Sequence, residues 1–531
     1  MHEILTLQLG QRSNYLATHF WNAQESYFTY SPDQESLVDH DIHFRQGIGA
    51  DGAETFTPRT LIYDLKGGFG SMRKINALYE VEEPAVPQGL WNGPTVVQRQ
   101  DPIQQNEYQR SLQEGIEPAH LTPESVKYWS DFNKIYFHPK SVIQLNEYEL
   151  NSSLTPFDNW SAGEELFNSL DKEHDLLDRD LRYFAEEADQ MQGIQIMAAV
   201  DDAWGGFAAR YLDRIRDEYG KASVLFWGLE ENVTAIPREK RFMKLSNTAR
   251  SISDISPQSS IFVPISMPSA SLPQYVRLSQ QSQWQISGLL SVAMESIALP
   301  SRLKIHNSNR ATLDQLANSI NVNGNQTIAK LSLSIDQKST TNGHHLPVLP
   351  HEQASDGDLR IPSRENQDAD LSFKDVDDIK DLDMDFFPTE SGQELRGRRN
   401  KRFHVFGQTK ISRTTEDVKQ SDTFGEDEGF ERARRRAVGL PIIQKATVPI
   451  PFPLLDSFPD IFSRTSQSPM PLEVSTSVST DTAVASRVKS LQHIVNRAIG
   501  IDEREALSNS LGQIAEAYED GWDSGTDEDD D

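Results

Sequence analysis

Apolar residues crowd the first nine positions, at Ile4, Leu5, Leu7 and Leu9, which predicts a strand buried inside a sheet. Gly10 ends it, and residues 14–22 then predict a helix with Leu16, Phe20 and Trp21 on one side. A short second strand over 60–65 runs into Gly67, Gly68 and Gly70. Residues 25–57 and 80–125 are polar and rich in turn formers, and read as loops or short elements. The spacing over 162–191 predicts one long helix. Residues 194–200 (IQIMAAV) are continuously apolar, as in a central parallel strand covered on both faces. Residues 201–206 read as a turn, after which Phe207, Tyr211, Leu212, Ile215 and Tyr219 recur at helical spacing. Strands over 223–229 and 261–265 and a helix over 283–298 follow. This alternation predicts an α/β domain, a parallel sheet flanked by helices.

Beyond residue 330 the pattern changes. Residues 351–390 carry 13 acids against four bases and are expected to form a disordered acidic linker. Two basic runs follow, RGRRNKR at 396–402 and RARRR at 432–436, with a strand expected over 403–411 between them. Residues 449–462 (PIPFPLLDSFPDIF) are apolar but broken by proline, so they predict an extended segment packed on a surface. Residues 463–482 read as a Ser/Thr/Pro linker. Two C-terminal helices are expected over 483–499 and 503–517, the first with Val488, Leu491, Ile494, Val495 and Ile499 on one face. That face lacks flanking Lys, Arg and Trp, which points to packing on the body of the protein rather than to membrane insertion. Residues 516–531 hold nine acids and no base.

Composition narrows the function classes. The chain has 51 basic and 80 acidic side chains, a formal charge of -29, so its overall surface repels a phosphate backbone and no direct nucleic-acid binding is expected. Hydrophobic residues make up 37%, below the usual 45–50%, consistent with an unfolded portion beside a normal core. The absence of cysteine excludes disulfides, thiolate zinc sites, iron–sulfur clusters and cysteine nucleophiles. No stretch approaches the roughly 18–20 apolar residues of a membrane span. The first residues carry an early acid and resemble neither a transit nor a signal peptide, so a protein facing the cytosol is expected.

Three segments, in order, resemble tubulin. MHEILTLQLGQRSNYLATHFWN at 1–22 keeps Ile4, Leu5, Gln8, Gly10, Gln11, Asn14, Phe20 and Trp21 at the spacing of the tubulin strand, G-Q-C-G-N-Q loop and F-W helix. PRTLIYDLKGGFGSMR at 58–73 looks like P-R-A-I-L-V-D-L-E-P followed by S-V-R, and LDRIRDEY at 212–219 is similar to I-S-K-I-R-E-E-Y. Together with the acidic insert, the TVPIPFPLLDSFP segment and the missing cysteines, the pattern resembles more narrowly the Misato family. These are tubulin-like proteins linked in fungi to inheritance of mitochondria and mitochondrial DNA. The resemblance implies a tubulin-like parallel sheet with an acidic disordered insert and C-terminal helices. It divides the chain into tubulin-like segments at 1–115 and 116–300 and an intermediate-domain-like segment at 301–350. The acidic linker at 351–402, a strand and packing segment at 403–463, a linker with helices at 464–515 and an acidic tail at 516–531 complete it.

The resemblance also locates a nucleotide site. Gly10, Gln11 and Arg12 fall in its first loop, where Arg12 and Ser13 replace Cys and Gly. Residues 200–206 (VDDAWGG) stand opposite tubulin's G-G-G-T-G-S-G, leaving Gly205 and Gly206 as the glycines. A phosphate loop works by exposing backbone N–H groups beside a helix N-terminus. Asp201 and Asp202 put negative charge there instead. At 4 Å and an effective dielectric of about 20, one such like-charge contact costs about 4 kcal/mol. Trp204 adds bulk, and Lys66 stands where tubulin has an acid near the nucleotide's magnesium. Alternatives remain open: the two aspartates are placed to hold Mg²⁺, and Arg12 is placed to meet either a phosphate or the aspartates themselves. Residues 230–300 contain no N-x-D-x-x-E segment, the element with which one tubulin subunit completes hydrolysis in its neighbour.

These residues predict a vestigial nucleotide site at Gly10, Gln11, Arg12, Gly205 and Gly206, no GTPase activity, and no metal or other cofactor, with GTP as the one candidate. The resemblance implies action through cytoskeletal or mitochondrial protein partners. It also implies peripheral contact with the mitochondrial membrane and a location on the outer mitochondrial surface and in the cytoplasm. Competing readings are a filament-forming GTPase and a cofactor in tubulin or actin folding. His40 and His43, His344 and His345, and the Gly67–Gly70 turn read as ordinary loop features rather than ligands. The basic runs are open to lipid or partner contact, to nuclear targeting, and to neutralising the acidic linker.

Overall fold

The computed structural model of the chain describes residues 3–29, 35–48, 52, 54–72, 103–267, 272, 276–304, 306–335, 382–388, 403–415, 440–462 and 471–519. Strand β1 (Glu3–Leu9) leads into helix α1 (Gln11–Glu25), then β2 (Phe44–Ile48), β3 (Glu54–Pro58) and β4 (Thr60–Lys66). Next come α2 (Glu107–Glu114), β5 (Val142–Glu149), α3 (Trp160–His174), α4 (Arg182–Glu186), β6 (Met191–Ala199) and α5 (Ala203–Glu218). They are followed by β7 (Ser223–Glu230), α6 (Arg238–Ile255), β8 (Ile261–Ser266) and α7 (Gln283–Ala298). The remainder comprises α8 (Leu313–Ile320), β9 (Lys330–Ile335), β10 (Leu382–Asp385), β11 (Val405–Arg413) and β12 (Ile442–Val448). Strand β13 (Val474–Asp481) precedes two final helices, α9 (Ala483–Ala498) and α10 (Ile501–Glu516).

The first sheet has the order β5-β4-β1-β6-β7-β8, all parallel. Its central strands are apolar throughout because both faces are covered. On β1, Ile4 faces the core beneath α1 and α7, while Leu5, Leu7 and Leu9 face the core beneath α3, α5, α6, α9 and α10. The predicted α/β architecture is therefore present, with five of the six parallel strands close to their predicted positions and β5 not anticipated. A second, mixed sheet has the order β10-β9-β13-β11-β12, and β2 and β3 form a separate hairpin.

Several sequence expectations need correction. The helix expected over 162–191 breaks at Asp175, which takes φ 45°, and resumes as a π turn over Leu177–Leu181 followed by α4. Leu166, Phe167 and Leu170 before the break and Leu176, Leu177, Leu181 and Phe184 after it are all buried, so helical spacing of apolar residues persists through it. The turn expected over 201–206 is only two residues long, because α5 already begins at Ala203. Residues 25–57, expected as loops or short elements, hold nearly all of the short β2–β3 hairpin, as that expectation allowed. The acidic stretch 351–390 contains β10, whose Leu382 and Met384 point inward and whose Asp383 and Asp385 point out. The supposed linker 463–482 contains the central strand β13. Its inward positions include Thr476 and Thr480, so hydroxyl residues hid the period-two pattern. Strands β9 and β12 were not anticipated.

Helix α7 is buried on nearly every side and stands between α1 and the second sheet. It carries a fully buried acid, Glu295, which accepts from Arg302 Nη2 at 2.7 Å and from Tyr27 OH at 3.0 Å, and pairs with Arg413 Nη1. Arg413 also donates to the carbonyls of Ile450 (2.6 Å) and Pro451 (3.1 Å), so one cluster joins α1, α7, β11 and the proline-broken segment. That segment runs extended as expected, with Phe452, Phe458 and Ile461 buried. Its Ser457 accepts from Asn22 Nδ2 at 3.1 Å through the hydroxyl and from Trp284 Nε1 at 3.1 Å through the carbonyl. Burial alone would raise the Glu295 carboxyl, but Arg413 and Arg302 hold it below its ordinary value. Glu295→Ala leaves two guanidiniums buried without their anion. A loss of roughly 3–5 kcal/mol is expected, measured as the shift in chemical-denaturation midpoint at unchanged slope.

Candidate functional site

Three loops meet at the carboxyl ends of β1, β4 and β6, where open parallel sheets place their ligands. Gly10 turns the chain from β1 into α1 at φ 84° and donates its N–H to the Tyr63 carbonyl at 3.0 Å. Arg12, in the first turn of α1, reaches across to the β6–α5 loop. Its Nη2 donates to Asp202 Oδ2 at 2.6 Å and to Asp201 Oδ1. The other Asp201 oxygen accepts from Lys244 Nζ (3.1 Å) and Glu231 N (3.0 Å), and the Asp201 carbonyl accepts from Asn247 Nδ2 (3.1 Å). Asp202 caps α5, with Oδ1 accepting from Trp204 N at 2.9 Å. Burial by itself would raise Asp201, but Arg12 and Lys244 outweigh it and hold that carboxyl well below the usual range. Asp202 is pushed up by burial and, against the pull of Arg12, by the Asp201 charge.

The helix N-terminus and the cation that would serve a bound phosphate are thus occupied by carboxylates of the same chain. Trp204 closes the remaining space. A Cβ placed on Gly10 would lie 2.3 Å from the indole Nε1, so the ring rests directly on the first loop. The far side of the indole packs against Phe157 and Phe207, with ring centres 5.2 and 5.6 Å away. Gly205 and Gly206 lie inside α5 rather than in an open loop. A Cβ on Gly205 would lie 2.3 Å from Ser251 Oγ, and one on Gly206 2.0 Å from the Trp160 carbonyl. Their glycine identity is accounted for by close packing of α5 on α6 and α3.

A second polar cluster adjoins the first. Gln11 Nε2 donates to Asp64 Oδ2 at 2.6 Å and to the Gly68 carbonyl at 2.8 Å. Asp64 is fully buried and also accepts from Asn14 Nδ2 (2.8 Å), Trp129 Nε1 (3.1 Å) and Leu65 N (2.9 Å). All of these donors are neutral. Burial therefore prevails over them and pushes the Asp64 carboxyl up to about 6. The turn at 67–70 folds over this pair, with positive φ at Gly67 and Gly70. Lys66 is half-buried at the end of β4, beside Glu149 of β5 in the sheet register.

The arrangement brings Gly10, Gln11 and Arg12 together with Asp201 and Asp202, and sets Gly205 and Gly206 one turn deeper. Sequence reading missed Asp64, whose burial is not encoded locally, and Lys244 and Asn247, which α6 delivers from some 40 positions away. His43 is buried edge-on to Phe20 and Trp21, and His40 stacks on Phe28 at 3.7 Å. Among the described residues no three His, Asp or Glu gather as metal ligands, and no helix is long and apolar enough to cross a membrane. His344, His345, both basic runs and residues 520–531 of the acidic tail lie outside the described residues.

Comparison with known proteins agrees with this fold. Residues 2–114 match the family described as the Misato Segment II tubulin-like domain, and residues 118–303 match the tubulin domain. Protein dml-1 of Neurospora crassa is 50% identical over the full length of both chains, and protein dml1 of Aspergillus niger 46% over the full length of both. Protein dml1 of Schizosaccharomyces pombe is 35% identical over 57% of this chain and 66% of its own.

Two outcomes follow from the charges. Arg12→Ala leaves Asp201 and Asp202 facing each other with only Lys244 nearby, and should cost roughly 3–5 kcal/mol at pH 7. The loss should shrink as the pH is lowered, because the variant's aspartates, without Arg12, take up protons while Arg12 keeps Asp201 of the parent ionised, which denaturation at several pH values will measure. Asp64 has the opposite sign. Its folded pKa lies above the unfolded value of about 3.9, so its contribution is present at low pH and is lost as pH rises through about 6. The difference in stability between the parent and Asp64→Asn should therefore change across pH 4–6 and be flat above pH 7.

Proposed function

The chain belongs to the Misato family of tubulin-like proteins, and on that premise we propose that it is a non-catalytic member that works by binding partners rather than by turning over a nucleotide. The observation that carries this reading is the Arg12 bridge to Asp201 and Asp202. A nucleotide's phosphates need the α5 N-terminus, a cation and small residues. Here Asp202 caps the helix, Arg12 is committed to two aspartates, and Trp204 lies on Gly10. Binding GTP in this cleft requires breaking a buried ion pair and leaving two carboxylates against the triphosphate. The residues present do not fit the ligand that the fold family implies.

The biological role follows from the family resemblance: partitioning of mitochondria and mitochondrial DNA, with the protein in the cytoplasm and on the outer mitochondrial surface. Partner contacts supply that role in this reading, and contact with DNA is indirect, given the net charge of -29.

Titration calorimetry of the purified chain with GTP and GDP, with and without Mg²⁺, should show no binding, and the protein should purify without nucleotide. Micromolar GTP binding together with phosphate release would overturn the proposal. Protease treatment of intact mitochondria should digest the organelle-associated fraction, whereas complete protection contradicts the outer-surface location.

A further inference from the structure

Strand β5 is the end strand of the first sheet, and among the described residues β4 is the only strand that pairs with it. A cavity of about 470 Å³ lies along it, within the 300–1,000 Å³ range of ligand pockets. Six consecutive residues, 142–147, line one wall. Successive strand side chains point to opposite faces, so a wall of six in a row means that the cavity follows the backbone edge itself. The facing wall is built from Leu170 and His174, one turn apart on α3, and from Arg179 and Asp180 of the π turn.

The break that opens this wall is a strained one. Asp175 takes φ 45° without being glycine, and the five-residue π turn follows directly. Both features cluster at functional positions. The turn is also braced: Tyr63 OH donates to Asp180 Oδ2 at 2.6 Å, and Arg179 forks onto both Asp180 oxygens at 2.7 Å. The groove is electrically polar. Lys140 lies in the turn two residues before β5, its ammonium over the Tyr183 ring, and the Tyr63–Ile143 register puts Arg179, balanced by Asp180, at the same end. The exposed Glu147 lies towards the other end.

We infer that the edge of β5, open among the described residues, is a docking site for an extended peptide segment of a partner protein, which adds to the sheet as a further strand and sets an acidic side chain against Lys140. Main-chain hydrogen bonds to an open sheet edge supply affinity in such complexes, and alternate side chains supply specificity. Six residues of strand span about 20 Å, the length of a typical strand. The polarity of the groove fixes the direction of the segment. The site uses none of the charged residues of the Arg12 cleft and stands whether or not that cleft binds nucleotide.

The test is selection of displayed random decapeptides on the purified full-length chain, with counter-selection on Lys140→Glu, an exposed substitution that leaves the core untouched. Enriched sequences should alternate apolar and polar residues and carry Asp or Glu near one end. The synthetic form of the strongest should bind at least tenfold more weakly to Lys140→Glu. Replacing its acid with lysine should restore binding to that variant. N-methylation along the peptide should abolish binding at every second position, since only alternate N–H groups face β5. No enrichment, equal binding to both proteins, or sensitivity to methylation without a period of two overturns the inference. So does a concentration-dependent dimer, abolished by Lys140→Glu, that excludes the peptide, because the edge then belongs to a second copy.

Discussion

A single buried carboxylate ties helix α7 to strand β11 of the second sheet and to the proline-broken segment. Glu295 sits on a helix with no free face and has no water to solvate it, so it persists only because Arg302 and Arg413 converge on it. That requirement fixes the register of β11 relative to α7. It also fixes the path of the proline-broken segment, whose carbonyls absorb the remaining donors of Arg413. From there the segment crosses to α1 and seals the core beside Ser457. The proline-rich composition that rules out a helix leaves those carbonyls free to accept from a side chain. An unusual local sequence and a buried ion cluster are thus parts of one device.

The same economy governs the cleft at the strand ends. A helix N-terminus attracts an anion. At α5 that attraction is met within the chain by Asp202 as a cap and Asp201 as a second anion, with Arg12 and Lys244 as counter-charges. The site therefore keeps the electrostatic logic of a phosphate loop while reversing the source of the negative charge. Asp64 illustrates the contrast, since it is surrounded by neutral donors and its charge costs more to bury.

Much of the first sheet was legible because parallel strands buried on both faces must be continuously apolar, as 194–200 is. The α7 boundaries were legible for a related reason, an apolar stretch with Ser282 as its cap. The second sheet was not, because its strands bury only one face and fill inward positions with Thr476, Thr480 and Arg413, which carry no hydrophobic signal. In the candidate site, the pairing of Arg12 with the two aspartates was one of the alternatives the residues allowed. The seating of Trp204 on Gly10 and the packing role of Gly205 and Gly206 depend on interhelical distances that no local pattern encodes.

The core beneath Leu5, Leu7 and Leu9 is completed by Val484, Leu491, Leu511 and Tyr518, so the first strand to be made is covered by the last helices. At ribosomal rates of roughly 5–20 residues per second, some 25–100 s separate their synthesis. During that interval α3, α5 and α6 cover that face without the part of the core that α9 and α10 supply. A premature stop only a dozen residues short of Tyr518 has the consequences of a core deletion rather than of a trimmed tail.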